Sequence, residues 1–260
     1  MSISEVSGYQ RLEALAYRDR LTRFSGGSVG PYWAQLTPLI WIAFLVVLFD
    51  VLGRVPPIHA HSAIFVATGV LPYILFRQSI TSLARSVIAN RHLRYIVPIG
   101  HNEILLASSC VEGWNTLLTS SLIFGFLLLV GFADPPAGPQ AVILSLLLLF
   151  FLYSSIGRLI AVIGLMSDSV ARFYPIALRP FFWISGVFYT ATELPRSVQE
   201  LLWWNPLFHV TEGLREGYFQ SYVSPVFMPI YPLVCACLIF LLSLTLEKYI
   251  LRSIRQRYRL

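Results

Sequence analysis

Of the 260 residues, 56% are hydrophobic and only 12% charged, and the mean hydropathy is +0.68. A soluble globular domain carries roughly 25% charged residues, so the composition excludes one and implies an all-α polytopic membrane protein. Lysine and arginine total 19 and the net charge is +6, yet Lys248 is the sole lysine. It stands in Leu246-Glu247-Lys248, which excludes a phosphate-binding loop of the G-x-x-x-x-G-K-[ST] type, so any ATP-driven step needs an ATPase on another chain.

Residues 1–31 are polar where a cleavable signal would need an apolar stretch behind a short basic head, so none is expected. Within them Tyr9–Phe24 has a helical pattern, with Leu12, Leu15 and Ala16 on one side and Arg11 and Arg18 opposite, as in a helix lying in the membrane interface. Gly26, Gly27, Gly30 and Pro31 break it. Span one is expected over Tyr32–Leu52, with Tyr32, Trp33 and Trp41 as interface anchors. Span two follows over Ser62–Leu83, interrupted by Gly69 and Pro72. Residues 84–102 are polar. Span three, Glu103–Gly131, is long enough to tilt or to project from the bilayer. A proline-rich turn leads to span four, Gln140–Met166, and a short polar turn over 167–172 leads to span five, Tyr174–Ala191. Span six covers Met228–Leu246, and 247–260 is a basic tail. No repeat or second domain appears, so 1–260 reads as a single transmembrane domain. Cys110, Cys235 and Cys237 lie in apolar runs and read as reduced packing residues.

Arginine and lysine fix the orientation. The N-terminus, the 84–102 loop, the 167–172 turn and the tail together hold 13, whereas the opposite segments hold Arg54, Arg196 and Arg215. By the positive-inside rule both termini are cytoplasmic and there are six transmembrane helices. The basic excess is therefore topological and does not point to nucleic acid.

Between spans five and six lies a stretch too polar to cross a bilayer, residues 192–222. Pro195 opens a short helix to Leu202, and Trp203-Trp204 ends it. Asn205 is suited to cap a second helix whose first position is Pro206. At 100° per residue Leu207, Val210, Thr211, Leu214 and Tyr218 fall on one side and His209, Glu212 and Glu216 on the other, so the latter are expected to face water or a transport path. Arg215 is within ion-pair reach of Glu212. Two such helices at a proline corner suggest re-entrant half-helices on the periplasmic side; the alternative is an extramembrane loop with incidental helix.

Charges within spans cost about 3 kcal/mol on insertion scales and usually face protein or water. Arg77, Arg158 and Arg179 sit in the cytoplasmic third of their spans, where they either snorkel to headgroups or face protein or water. Glu112 is expected to pair with an arginine of a neighbouring span. His59 and His61 are two apart in a loop without a nearby carboxylate or cysteine, so no metal site is assigned. No catalytic constellation appears.

Three stretches in register resemble the membrane subunit of polysaccharide-exporting ABC transporters, above all the capsule polysaccharide export permeases of Gram-negative bacteria. The first is Thr22-Arg23-Phe24, Gly30, Trp33-Ala34, Leu36 and Pro38. The second is Gly69, Pro72, Phe76, Ser79-Ile80, Ala89-Asn90, Leu93 and Pro98, with Glu112 beyond. The third is Trp204-Asn205-Pro206-Leu207, His209-Val210, Glu212 and Arg215-Glu216. Ser108 and Ser109 stand where such permeases often carry a basic residue.

The resemblance implies a homodimer in the bacterial inner membrane that moves a lipid-linked polysaccharide outward. Two ATPase subunits would bind ATP and Mg, with no cofactor in this chain. A periplasmic co-polymerase-type adaptor and an outer-membrane export channel would be further partners. Spans one and five would line the path, with sugar rings stacking on Trp33, Trp41, Phe44, Tyr174, Phe181, Trp183 and Tyr189 and with Arg77, Arg158 and Arg179 near the entrance. Arg20, Arg23, Asn90, Arg91, Arg94 and Pro98 would contact the ATPase. Asn205, Pro206, His209, Glu212, Arg215 and Glu216 would form a periplasmic gate. Export of O-antigen, teichoic-acid-type glycolipids or drugs is the alternative, and a membrane-embedded transferase the second.

Overall fold

The computed structural model describes residues 13–18, 30–58, 60–90 and 100–257. Among them the fold is helical and holds no strand. Residues 13–18 are helical. The long helices are α1 (Gly30–Val51), α2 (Ser62–Ala89), α3 (His101–Val130), α4 (Pro139–Gly164) and, at the end, α9 (Ile230–Arg257). Between α4 and α9 come α5 (Asp168–Ala177), α6 (Phe181–Ile184), a 3₁₀ turn at Ala191–Glu193, α7 (Arg196–Leu202) and α8 (Pro206–Tyr218). Among the described residues four helices are long and apolar enough to cross a membrane: α2, α3, α4 and Ile230–Ile250 of α9. Leu36–Val51 of α1 is a shorter apolar run.

Local chemistry sets the helix ends. His61 accepts a hydrogen bond from the Ala63 amide and caps α2. Glu103 reaches back to the Gly100 amide at the start of α3, and Gly131, at φ +80°, ends that helix in the left-handed conformation open to glycine. Pro139 opens α4, where a missing N–H costs nothing.

At its centre the bundle holds α2, which runs unbroken through Gly69 and Pro72 rather than being interrupted there. It is buried over most of its length, with Phe65, Ala67, Val70, Leu71, Ile80 and Leu83 fully enclosed. Gly69 is a site of close approach: a Cβ there would lie 2.6 Å from the Val187 carbonyl oxygen and 2.7 Å from an Arg215 guanidinium nitrogen.

Two sequence expectations are corrected. Tyr174–Ala191 is not one helix: α5 stops at Ala177, α6 lasts four residues, and Gly186 takes φ +75°. Pro180 has no N–H to continue the ladder and disfavours helical geometry at Arg179. Residues 247–257 are no separate tail but the continuation of α9, in which Glu247 is buried. The three cysteines are free thiols; Cys110 and Cys237 are exposed on the helix surface, so they do not serve packing within the chain.

Candidate functional site

The break between α6 and α7 leaves carbonyl and amide groups without helical partners, and α8 supplies them. Asn205 caps α8 through the Leu207 amide at 3.1 Å, while its Nδ2 donates to the Ile184 carbonyl at 2.9 Å and to Ser185 Oγ at 3.0 Å. Arg215 donates to the Tyr189 carbonyl at 2.5 Å and to Val187 at 3.4 Å, and its guanidinium lies over the Phe65 ring at 4.5 Å. Glu212 accepts from the Ala191 amide at 3.3 Å, from Ser224 Oγ at 2.7 Å and from the Tyr222 hydroxyl. Non-helical backbone needs such partners wherever it is shielded from water.

The polar side of α8 therefore points inward. His209 and Glu212, expected to face water or a path, are fully buried, and only Glu216 is half-exposed, its carboxylate accepting from the Ser224 amide at 3.0 Å. His209 donates Nε2–H to the Trp203 carbonyl at 2.7 Å and accepts the Met228 amide on Nδ1 at 3.3 Å, an arrangement that needs the neutral ring. Desolvation lowers its pKa accordingly. Burial, with the Glu212 carboxylate alongside, pushes the Tyr222 hydroxyl above its ordinary range. Pro206 sits at the first position of α8, and Leu207, Val210 and Leu214 pack into the main core. At the far end Gly217 meets the start of α4, its carbonyl accepting the Gly138 amide at 2.8 Å.

A cleft of about 720 Å³ opens between α1, α2, α3 and α6. Part of its lining is aromatic. Trp41 lies 6.0 Å from Phe182, Phe182 lies 5.0 Å from Tyr73 and 5.4 Å from Trp183, and all four rings line the cleft. On α2 the same helical face that carries Tyr73 presents Arg77, Thr81 and Arg85 at four-residue steps, with Gln78 beside them; Arg179 enters from the segment after α5. Glu112 and Asn115 of α3 close the cleft, with Glu112 accepting from Ser79 Oγ at 3.0 Å.

Four residues expected on a path, Trp41, Arg77, Arg179 and Trp183, are thus brought together. Others are elsewhere. Arg158 is no basic entrance: it is buried, paired with Glu247 at 2.5 Å, and hydrogen-bonded to Ser243 at 3.0 Å and to Asn102. Tyr174 is buried, Phe181 packs on Phe76 at 6.0 Å, and Tyr189 bonds its hydroxyl to the Trp183 carbonyl at 2.9 Å. Phe44 is exposed beside Trp41. Glu112 is buried on α3, and the Ser79 hydroxyl of α2 is one of its partners. Asn90 closes α2, its amide donating to the Ser86 carbonyl at 2.8 Å. The Trp33 side chain and Arg20, Arg23, Arg91, Arg94 and Pro98 lie outside what the structure describes. Sequence reasoning missed Tyr73, Gln78 and Asn115. The signal was present in the i, i+4, i+8 spacing of Arg77, Thr81 and Arg85, which stacks them on one helical face.

Comparison with known proteins places this geometry in context. The profile of the family described as ABC-2 type transporter matches residues 10–219. The chain is 27% identical over 217 residues to the polysialic acid transport protein KpsM of Escherichia coli, covering 82% of this chain and 83% of that one. It is 24% identical to the capsule polysaccharide export inner-membrane protein CtrC of Neisseria meningitidis, over 90% of this chain and 88% of the relative. It is 23% identical to the capsule polysaccharide export inner-membrane protein BexB of Haemophilus influenzae, over 82% and 80%.

Proposed function

The chain belongs to the ABC-2 type transporter family, and we propose that it is the permease subunit of an exporter that moves lipid-linked capsular polysaccharide outward across a bacterial inner membrane. The observation that carries the reading is the cleft between α1, α2 and α6, whose lining combines aromatic rings with arginines. Sugar rings carry C–H faces that stack on aromatic planes, and stacking tolerates sliding better than directed hydrogen bonds do. The names of the relatives KpsM, CtrC and BexB support a polysaccharide cargo.

In this reading the broken segment from α5 to the 3₁₀ turn acts as the fifth span, giving six with α1, α2, α3, α4 and α9. Both termini are cytoplasmic, and α7 and α8 are half-length helices on the outer side. A second copy of the chain completes the path. Two ATPase subunits bind ATP and Mg and dock on the segment between α2 and α3 through Asn90, Arg91, Arg94 and Pro98, with Arg20 and Arg23 from the N-terminal segment. A periplasmic adaptor of the co-polymerase type and an outer-membrane channel receive the polymer. Deletion of the gene should leave lipid-linked polymer accumulating inside the cell, with restoration of surface polymer by a plasmid copy. Unchanged surface polymer in the deletion strain would overturn the assignment.

A further inference from the structure

The lining of the cleft is unbalanced in charge. Among the described residues it holds three guanidiniums, Arg77, Arg85 and Arg179, and one carboxylate, Glu112. All three arginines are exposed, whereas Glu112 is buried and receives the Ser79 hydroxyl. Arg77 and Arg85 stand eight residues apart on α2, about 12 Å along the axis at 1.5 Å per residue. Between them Thr81 turns its hydroxyl back to the Arg77 carbonyl at 2.8 Å, while Gln78 and Ser82 also line the cleft. Guanidiniums are forks of N–H donors matched to phosphate and carboxylate oxygens. Charged side chains at membrane depth pair with an opposite charge or face water. Trp41 and Trp183 line the same cleft.

Resting on the export reading above, we propose that Arg77, Arg85 and Arg179 form an oxyanion-binding site that holds a phosphate or carboxylate attached to a sugar, while Trp41 and Trp183 stack the ring that bears it. The cleft therefore selects an anionic glycan over a neutral one. The anion has two possible sources of the same chemistry, the phosphate that joins sugar to lipid and the carboxylates of acidic sugars along the polymer.

The test uses the full-length protein in nanodiscs of phosphatidylcholine, whose zwitterionic headgroups add no net anion. Tryptophan fluorescence reads binding, because Trp41 and Trp183 line the cleft. The probes are glucose 1-phosphate, a glucuronate-containing heparosan tetrasaccharide, neutral maltotetraose and inorganic phosphate. At least one of the two anionic sugars should bind tenfold or more tightly than both maltotetraose and inorganic phosphate, and its affinity should fall as NaCl is raised. Saturation by glucose 1-phosphate alone would assign the anion to the lipid linkage, and saturation by the tetrasaccharide would assign it to the polymer. Arg77→Gln combined with Arg179→Gln should weaken the anionic probes at least tenfold, with partial recovery in the corresponding lysine pair. Arg196→Gln, on α7 away from the cleft, should change nothing. Should the double variant fail to elute as a folded protein, Arg85→Gln and the salt dependence of the wild type serve instead. Equal binding of maltotetraose, or anionic binding unchanged in the glutamine variants, overturns the proposal. The export reading is judged separately by polymer accumulation in the deletion strain, so either can fail alone.

Discussion

Glu212 and Arg215 stand one turn apart on α8, with Oε1 3.5 Å from Nη1 and neither side chain exposed. The pair is the hub through which α8 holds three other segments: the 187–191 backbone, the 222–224 loop and the Gly69 face of α2. A buried pair contributes little net stability by itself, but removing one member leaves the other charged and unpaired, which costs about 3–5 kcal/mol. Glu212→Ala and Arg215→Ala should therefore lower the amount of folded protein in the membrane and lower export in proportion. Quantitative immunoblotting beside an export assay checks this. Export lost at normal protein level would instead make Glu212 a gate residue. Replacing both partners together should recover only part of the loss, because Val187, Tyr189 and Ala191 would still lack partners.

Close packing around this hub gives a second expectation. Gly69→Ala places a methyl group against the Val187 carbonyl and the Arg215 guanidinium, at 2.6 and 2.7 Å. The backbone atom cannot retreat without moving the broken segment, so thermal stability in detergent should fall. Gly125, within α3, has nothing within 4 Å of an added Cβ, and alanine is favoured over glycine in a helix by about 1 kcal/mol. Gly125→Ala should leave the melting temperature unchanged or raise it. A Gly69→Ala variant as stable as Gly125→Ala would remove Gly69 from the packing argument.

These side chains also mark how far the sequence could be read. Apolar runs showed α2, α3, α4 and α9, because length and hydropathy alone make a crossing helix legible. Asn205-Pro206 showed where α8 begins, because a cap acts within three residues of itself. The Glu212–Arg215 contact was legible because it too is local. What the sequence did not reveal was the direction of the polar face. Amphipathicity distinguishes two sides of α8 but not which one meets water, and here partners outside the helix draw the polar side inward: the Val187 and Tyr189 carbonyls for Arg215, the Ala191 amide with the Tyr222 and Ser224 hydroxyls for Glu212, and the Trp203 carbonyl with the Met228 amide for His209. Arg158 was misplaced for the same reason, since Glu247 lies 89 residues away. In the cleft the individual charges and rings were visible, whereas the enclosure that joins Arg77 to Trp41 is a product of packing.

His209 gives stability a pH dependence of defined sign. Desolvation depresses its folded-state pKa below the ordinary 6.5. Between those two values the unfolded chain binds the proton more readily, so stability is greatest above about pH 6.5 and falls as pH drops toward the folded value. Protonation would also forfeit the bond that Nδ1 accepts from the Met228 amide. Melting temperatures should decline from pH 7.5 to 5.5, and His209→Gln, which titrates over no part of that range, should flatten the decline. An equal slope in both proteins would place the acid sensitivity elsewhere.

Asn205 should be worth more than a cap. Losing the bond to the Leu207 amide costs about 1 kcal/mol, and Asn205→Ala also strands the Ile184 carbonyl in a buried setting, a further 1–3 kcal/mol or so. Asn205→Asp keeps the acceptor for Leu207 but not the donor for Ile184, so it should fall between alanine and wild type. Pro206→Ala, at a position where no backbone hydrogen bond is at stake, should be the mildest of the three. Denaturation in detergent ranks them; alanine and aspartate of equal stability would confine the role of Asn205 to the cap.

Orientation can be read by chemical labelling. Because Cys110 and Cys237 are exposed on the helix surface, they and Cys235 are first replaced by serine. Single cysteines are then placed at Gln140, Ser197 and Arg252, all exposed and at the ends of α4, α7 and α9. The 13-to-3 arginine and lysine asymmetry puts the first two outside and the third inside. A membrane-impermeant maleimide added to intact spheroplasts should therefore modify Gln140→Cys and Ser197→Cys, and reach Arg252→Cys only after lysis. The Ser197 position carries the most information, because α7 hangs from the broken segment rather than from a full-length helix. Modification of Gln140→Cys without Ser197→Cys would bring the α7–α8 hairpin to the other face and require the α5–α6 segment not to cross. External labelling of Arg252→Cys would reverse the whole bundle and move the arginine-lined cleft to the outer side.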